Sequence, residues 1–132
     1  MKKGSIDIGN LLSPPQKHEL HTARFFSEMG YDVVFIRPSN IPDNHRPDFE
    51  MNGIEWEVKS PTGRSRHSIE KRYSDAKTQS GNIIFDLRRC NLSDKECISV
   101  LQKQFYAHHS KRLLIITKSE KLLEFPPNCL DK

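Results

Sequence analysis

The stretch from Arg46 to Ser60, R-P-D-F-E-M-N-G-I-E-W-E-V-K-S, constrains the fold more than any other part of the chain. Asn52-Gly53 lies between two runs in which apolar and polar residues alternate. That combination is the strongest local signal for a β-hairpin closed by a type I′ turn, whose two central residues both need positive φ. A two-residue turn fixes the register. It sets Met51 opposite Ile54, Glu50 opposite Glu55, Phe49 opposite Trp56 and Asp48 opposite Glu57, with Lys59 two residues further on. Because strand side chains alternate, Phe49, Met51, Ile54, Trp56 and Val58 share one face, while Asp48, Glu50, Glu55, Glu57 and Lys59 share the other.

The apolar face is core; the charged face has two readings. It is the solvated side of an ordinary half-buried hairpin, or it is a metal site. Directly opposed carboxylates such as Asp48 and Glu57, about 4.5–5.5 Å apart at Cβ, repel, where a merely stabilising surface would pair opposite charges. A divalent cation reverses that sign. Mg²⁺ takes oxygen ligands and commonly uses only one or two carboxylates, leaving its remaining positions to water and phosphate.

At 132 residues the chain suits one domain with a real core, read as an N-terminal arm over 1–14 and a single domain over 15–132. Seven Phe, three Tyr and one Trp can anchor that core within a surface rich in the 29% of residues that are charged. No apolar run approaches the roughly 20 residues of a membrane span, and Met1-Lys2-Lys3 leads into polar Gly4-Ser5-Ile6-Asp7, not a signal-peptide core. Cys90, Cys97 and Cys129 form an odd set without CxxC spacing, so neither a disulfide framework nor a zinc site is expected, and the reading is reducing cytoplasm. The net charge is +4, with bases gathered at Arg64, Arg66, His67, Lys71, Arg72 and Lys77, then at Arg88-Arg89 and from His108 to Arg112. Polyanions are plausible partners for such a chain, and solvated helix faces are the competing explanation.

Periodicity and punctuation give the element order. Residues 1 to about 13 carry one apolar cluster, Ile6, Ile8, Leu11 and Leu12, expected to pack on the domain. Pro14-Pro15 starts a helix with Leu20, Ala23, Phe26 and Met29 inward and Gly30 at its end. Tyr31 to Ile36 reads as a strand, followed by a loop from Arg37 to Arg46 punctuated by Pro38 and Pro42. After the hairpin, the Pro61-Thr62-Gly63 turn leads into a helix of about 68–80 with Ile69, Tyr73 and Ala76 at helical spacing and Gly81 as its cap. A strand over 82–87, a helix over 93–108 with Cys97, Val100, Leu101 and Phe105 inward, a strand over 113–117 and an edge strand over 122–125 complete the chain. The class is α/β, a mixed sheet flanked by helices. His108-His109 ends a helix, where the dipole favours cations over a metal pair.

With these residues in place, the chain resembles the PD-(D/E)xK nuclease superfamily, through Pro47-Asp48 and then Glu57-Val58-Lys59 on the second and third strands of an α-β-β-β-α-β core over roughly 15–87. More narrowly, W-E-V-K-S-P-T-G at 56–63 and A-K-T-Q-S-G-N-I-I-F-D-L at 76–87 resemble the C-terminal tRNase toxin domain of contact-dependent growth-inhibition proteins. The resemblance implies a restriction-endonuclease-like fold, with a further helix and C-terminal strands. It implies that Asp48 and Glu57, with the Val58 carbonyl, hold Mg²⁺ or Mn²⁺, joined by Glu19 from the first helix, and that Gln79 turns toward the site. Lys59 then orients the attacking water or stabilises charge on the phosphate; its competing role is pairing with Glu57 at a strand edge. Glu19 and Gln79 are equally readable as solvated helix residues, and Asp86, in an apolar strand, as a structural carboxylate partnered by Arg88.

Ser60, Thr62, Arg64, Arg66, His67, Lys71, Arg72 and Lys77 are the candidate contacts to nucleic acid, expected at the lip of the site. The implied function is a tRNA-cleaving toxin module, monomeric or weakly dimeric. It would act in the cytoplasm of a target cell, either as a piece of a larger delivered protein or as a free-standing relative, with an acidic immunity protein as its neutralising partner. A DNA endonuclease or junction resolvase shares the same fold and site. A nucleic-acid-binding module with a dead site is the reading from another class, and the intact Asp48, Glu57 and Lys59 speak against it.

Overall fold

A computed structural model of the chain describes residues 2–39, 41 and 46–130; Pro42 and Met1, used above as a loop marker and in the signal-peptide reading, lie outside them. The elements run β1 (Ile6–Asp7), α1 (Lys17–Glu28), β2 (Val33–Phe35), β3 (Phe49–Met51), β4 (Ile54–Lys59), α2 (Arg66–Lys77), β5 (Asn82–Asp86), α3 (Asp94–His108), β6 (Arg112–Ile116) and β7 (Leu122–Phe125). From α1 onward the order is the expected α-β-β-β-α-β, followed by a helix and two strands. All seven strands form one mixed sheet in sequential order from β1 to β7. The pairs β1–β2, β4–β5 and β5–β6 are parallel, and β2–β3, β3–β4 and β6–β7 antiparallel. Among the described residues, no helix is long and apolar enough to cross a membrane.

Two apolar layers hold the sheet. On one face Ala23 and Phe26 of α1 pack with Val33, Phe35, Phe49, Met51, Trp56, Val58, Ile84 and Leu114. On the other, Ile69, Tyr73 and Ala76 of α2 and Cys97, Leu101 and Phe105 of α3 pack with Ile83, Phe85, Leu113 and Ile115. The alternation within β5 and β6 sends neighbouring residues into opposite layers, as a strand covered on both faces requires.

The hairpin register is Phe49 with Trp56, Glu50 with Glu55 and Met51 with Ile54, and the turn residues have φ of 57° at Asn52 and 75° at Gly53, as a type I′ turn demands. The face assigned to solvent is divided. Glu50 and Glu55 are exposed, whereas Glu57 is only 4% exposed, because α2 covers the C-terminal half of β4. Lys59 lies past the end of the β3–β4 ladder, paired with Phe85 of β5 on one side.

Three expectations change. The segment read as an arm contributes β1, paired with β2; Ile6 and Leu11 reach the core, but Ile8 and Leu12 are 44% and 77% exposed. Helix α2 stops at Thr78, with the Gln79 and Ser80 N–H groups both returning to the Ala76 carbonyl. Gly81 does not cap it: its carbonyl accepts the N–H groups of Lys111 and Arg112 and so fastens the start of β6. Finally, the basic lip is not one surface, for reasons given with the site.

Candidate functional site

The β3–β4 ladder ends where the site begins. Its last main-chain bond runs from the Asp48 N–H to the Trp56 carbonyl at 2.9 Å. Beyond it the strands diverge, and the Val58 N–H finds the Asp48 carboxylate at 2.8 Å in place of a backbone partner. Asp48 is thus held across from β4 by its side chain, which brings its carboxyl close enough to that of Glu57 for the two to perturb each other. The Lys59 Nζ lies 3.4 Å from Glu57 Oε2, with its side chain 18% exposed. Both pairings anticipated for the hairpin's inner end are therefore present together: carboxyl beside carboxyl, and lysine beside carboxyl.

Burial dominates the electrostatics of this pair. It pushes Asp48 up to about 6, partly offset by the Val58 N–H and reinforced by Glu19. It pushes Glu57 up to about 8, with repulsion from Asp48 adding to the rise and Lys59 opposing it. Two carboxyls so close and so shielded from water cannot both ionise cheaply, and the pair holds a proton well above the usual carboxylate range.

A cleft of about 330 Å³ opens over the pair, lined by Gln16, His18 and Glu19 of the α1 start, Asp48, Glu57, Val58, Lys59 and Ser60 of the hairpin, Arg72 of α2 and Arg89 beyond β5. Glu19 lines it, yet its Oε1 accepts the Gln16 N–H at 2.8 Å, closing the first turn of α1. Among the described residues, no group of three His, Cys, Asp or Glu side chains is assembled as a metal-holding cluster. The site therefore offers two converging carboxyls with Glu19 nearby, not a three-carboxylate cage. Oxygen donors of this kind and number suit a hard cation such as Mg²⁺ or Mn²⁺. Gln79, just past α2, reaches Glu57: with its amide nitrogen toward the site, the orientation that satisfies both groups, it donates to both carboxylate oxygens, at 3.0 Å for Oε1.

Of the residues expected to touch nucleic acid, only Ser60 and Arg72 line this cleft. Arg66 Nε lies 3.6 Å from Glu96 on α3, His67 Nδ1 lies 3.9 Å from Glu70, and Lys77 Nζ lies 3.1 Å from His108 at the far end of α2. Thr62 is exposed, with its carbonyl taken by Asn91 Nδ2 at 2.7 Å; Arg64 and Lys71 are exposed and outside the cleft. A helix turns about 100° per residue, so a run of bases along α2 is distributed around it instead of forming a single lip.

Three cleft residues were not singled out from the sequence, Gln16, His18 and Arg89. A signal for Arg89 existed: β5 runs parallel to β4, so the residues just past both strands emerge at one end of the sheet, the end where ligands gather in such sheets. Asp86 is structural as expected. Arg88 holds it with Nε at 2.9 Å and Nη2 at 2.7 Å, and Thr22 Oγ1 donates to it at 2.7 Å. Burial alone would raise the Asp86 carboxyl, but the Arg88 and Thr22 bonds outweigh it and hold the group below its usual range.

Comparison with known proteins agrees with this architecture. The model of the contact-dependent growth inhibition CdiA C-terminal domain family matches residues 45–122. Among solved structures, the CdiA-CT/CdiI toxin and immunity complex from Burkholderia pseudomallei contains a similar chain, with a TM-score of 0.64 at 20% identity, covering 92% of this chain and 98% of that one. No curated protein matches the chain by sequence. The family match spans the hairpin, both carboxyls, Lys59, Gln79 and Arg89, and on that ground the chain belongs to the CdiA C-terminal domain family of contact-dependent growth inhibition.

Proposed function

We propose that this growth-inhibition toxin domain is a metal-dependent endonuclease that cleaves tRNA. The observation that carries the reading is the pair of carboxyls at the end of the β3–β4 ladder, forced together out of water with Lys59 beside them and an open cleft above. Structural surfaces avoid such a pair; a cation would relieve it.

Asp48 and Glu57, with the Val58 carbonyl and Glu19 close by, would hold Mg²⁺ or Mn²⁺. Once bound, the ion supplies a polarised scissile phosphate and a water more acidic than bulk. Gln79 fixes the Glu57 carboxylate by donating to it, so the acid keeps its orientation whether or not it is ionised. Lys59 places a cation within reach of the same carboxylate and of the cleft, where it can orient a water or meet the charge that builds on the phosphate. Arg72 and Ser60 line the path a phosphate backbone would follow. The choice of tRNA rests on the likeness of 56–63 and 76–87 to the tRNase domains. The similar Burkholderia toxin was solved with its immunity protein, and an acidic immunity protein covering the basic side of the cleft is the corresponding partner here.

Incubating the purified chain with total tRNA, plasmid and a four-way junction, each with Mg²⁺, Mn²⁺ or EDTA, tests this. Cleavage of tRNA that EDTA abolishes is the expected result. Cleavage of the DNA substrates alone would move the activity to DNA, and no EDTA-sensitive cleavage of any substrate would remove the enzyme reading.

A further inference from the structure

The two arginines that follow β5 are built for opposite tasks. Arg88 is enclosed: its side chain is 10% exposed, it grips Asp86 with two nitrogens, reaches Glu120 at 3.2 Å and the His21 carbonyl at 3.0 Å, and lies over the Phe25 ring. Its fork is fully used. Arg89 is exposed and lines the cleft. Its Nε donates to Ser60, 2.9 Å to the carbonyl and 3.0 Å to Oγ. Among the described residues it forms no ion pair, and neither Nη atom has a hydrogen-bond partner.

The backbone under Arg89 is braced. The loop after β4 and the loop after β5 are fastened side by side, since Asn91 donates to Thr62 through Nδ2 and to Gly63 through its N–H at 3.2 Å, and Cys90 Sγ lies 3.4 Å from the Gly63 carbonyl. Gly63 is required there, because a Cβ would collide with the Ser68 hydroxyl. A guanidinium anchored at Nε on a braced loop keeps its two-nitrogen Nη edge available in a nearly fixed plane. That edge is the one suited to two oxygens of a phosphate, and holding it in place beforehand reduces the ordering cost of binding.

We propose that Arg89, held by Ser60, seats a backbone phosphodiester of the substrate in this cleft. This deepens the nuclease reading and rests on it for the ligand class. It also revises the part of Ser60, which serves the phosphate through Arg89 instead of only touching it. A contact of this type carries no base information, so its loss weakens binding uniformly across sequences.

Binding of labelled tRNA in EDTA, where metal-dependent cleavage is off, measured over a range of salt, provides the test. R89A is expected to bind about tenfold more weakly and to flatten the dependence of log K on log salt by about 0.7–0.9, one phosphate contact. R89K should keep the salt slope while losing affinity, S60A should weaken binding less than R89A, and K103A on the exposed side of α3 should change neither. Urea midpoints of all variants establish that they are folded. In parallel, inorganic phosphate titrated into the isotope-labelled chain should shift the Arg89 Nε–H resonance saturably and before those of other exposed arginines. Binding and slope equal to wild type in R89A would overturn the proposal, as would phosphate shifts spread evenly over the arginines. If the wild type binds no tRNA, the phosphate titration alone decides. Failure of cleavage with an altered slope in R89A would refute the nuclease reading and leave this site standing.

Discussion

Replacing Glu57 by glutamine should make the metal-free protein more stable at alkaline pH while abolishing its proposed activity. In the native chain Glu57 retains its proton up to about 8 against an ordinary value of 4.5. Each tenfold change in proton concentration is worth about 1.4 kcal/mol, so ionising Glu57 in the fold costs at most about 5 kcal/mol relative to the unfolded chain. The sign follows from proton counting. Between those two values the folded state binds more protons than the unfolded one, so stability present at low pH is lost as pH rises through the window. Glutamine keeps the shape and the bonds: its carbonyl still accepts from Gln79, and its amide can donate to Asp48. It removes the charge that cannot be accommodated. Urea unfolding of wild type and E57Q in EDTA at pH 5 and pH 9 measures the effect, and the difference between the proteins cancels other titrating groups such as His18. The expected gain for E57Q is about 1–3 kcal/mol at pH 9 and near zero at pH 5, below the ceiling because water and side-chain rearrangement relieve part of the strain. Mg²⁺ should narrow the gap by stabilising only the wild type. A pH-independent difference, or an E57Q protein less stable than wild type at pH 9, would refute the account of the carboxyl pair.

Lys59→Ala should lower cleavage by about 10²–10⁴-fold while leaving far-UV circular dichroism and Mg²⁺ binding by calorimetry near wild type; equal losses in metal binding would assign Lys59 to holding Glu57 only. Arg88→Ala leaves Asp86 buried without its counter-charge and should destabilise by about 3–5 kcal/mol in urea unfolding; the stability that Asp86 contributes is present above its ordinary range and fades as pH falls through its lowered folded value, so this penalty should shrink in acid. Asn52→Gly should cost only about 0.5–1.5 kcal/mol, because glycine accepts the observed φ of 57°, whereas Asn52→Val should cost about 1–3 kcal/mol more by thermal denaturation, from backbone strain. It also removes the Asn52 bond to the Leu130 carbonyl, and Asn52→Gly shares that loss, so comparing the two variants isolates the strain.

What could be read from the letters follows from how local the determinants are. The hairpin, its register and the inward residues of α3 were legible because turn chemistry and side-chain period act over a few positions. Strand β1 was not, since two residues are too few to show alternation and its pairing with β2 is separated by a whole helix. The burial of Glu57 was hidden for a related reason: an alternating pattern tells which residues share a face, but not that α2 will cover half of it. In the site, Asp48, Glu57 and Lys59 could be grouped because they lie on one hairpin. Arg89 could not, because its position depends on β5 lying parallel to β4. The scatter of the α2 bases likewise depends on where α3 presents Glu96 and where α3 ends at His108.

The strict succession of strands across the sheet, each beside its neighbour in sequence, has a kinetic side. Every ladder joins segments separated by a turn, a loop or a single helix, so no strand waits for a distant part of the chain before it can pair, and the loop-closure entropy lost at each step is small. The carboxyl pair lies within one such step, on a hairpin that closes on the microsecond scale. A chain that had been unfolded could therefore regain its sheet by stepwise addition from that hairpin outward, with the carboxyl pair set before α1, α2 and the segment after β5 complete the candidate site around it.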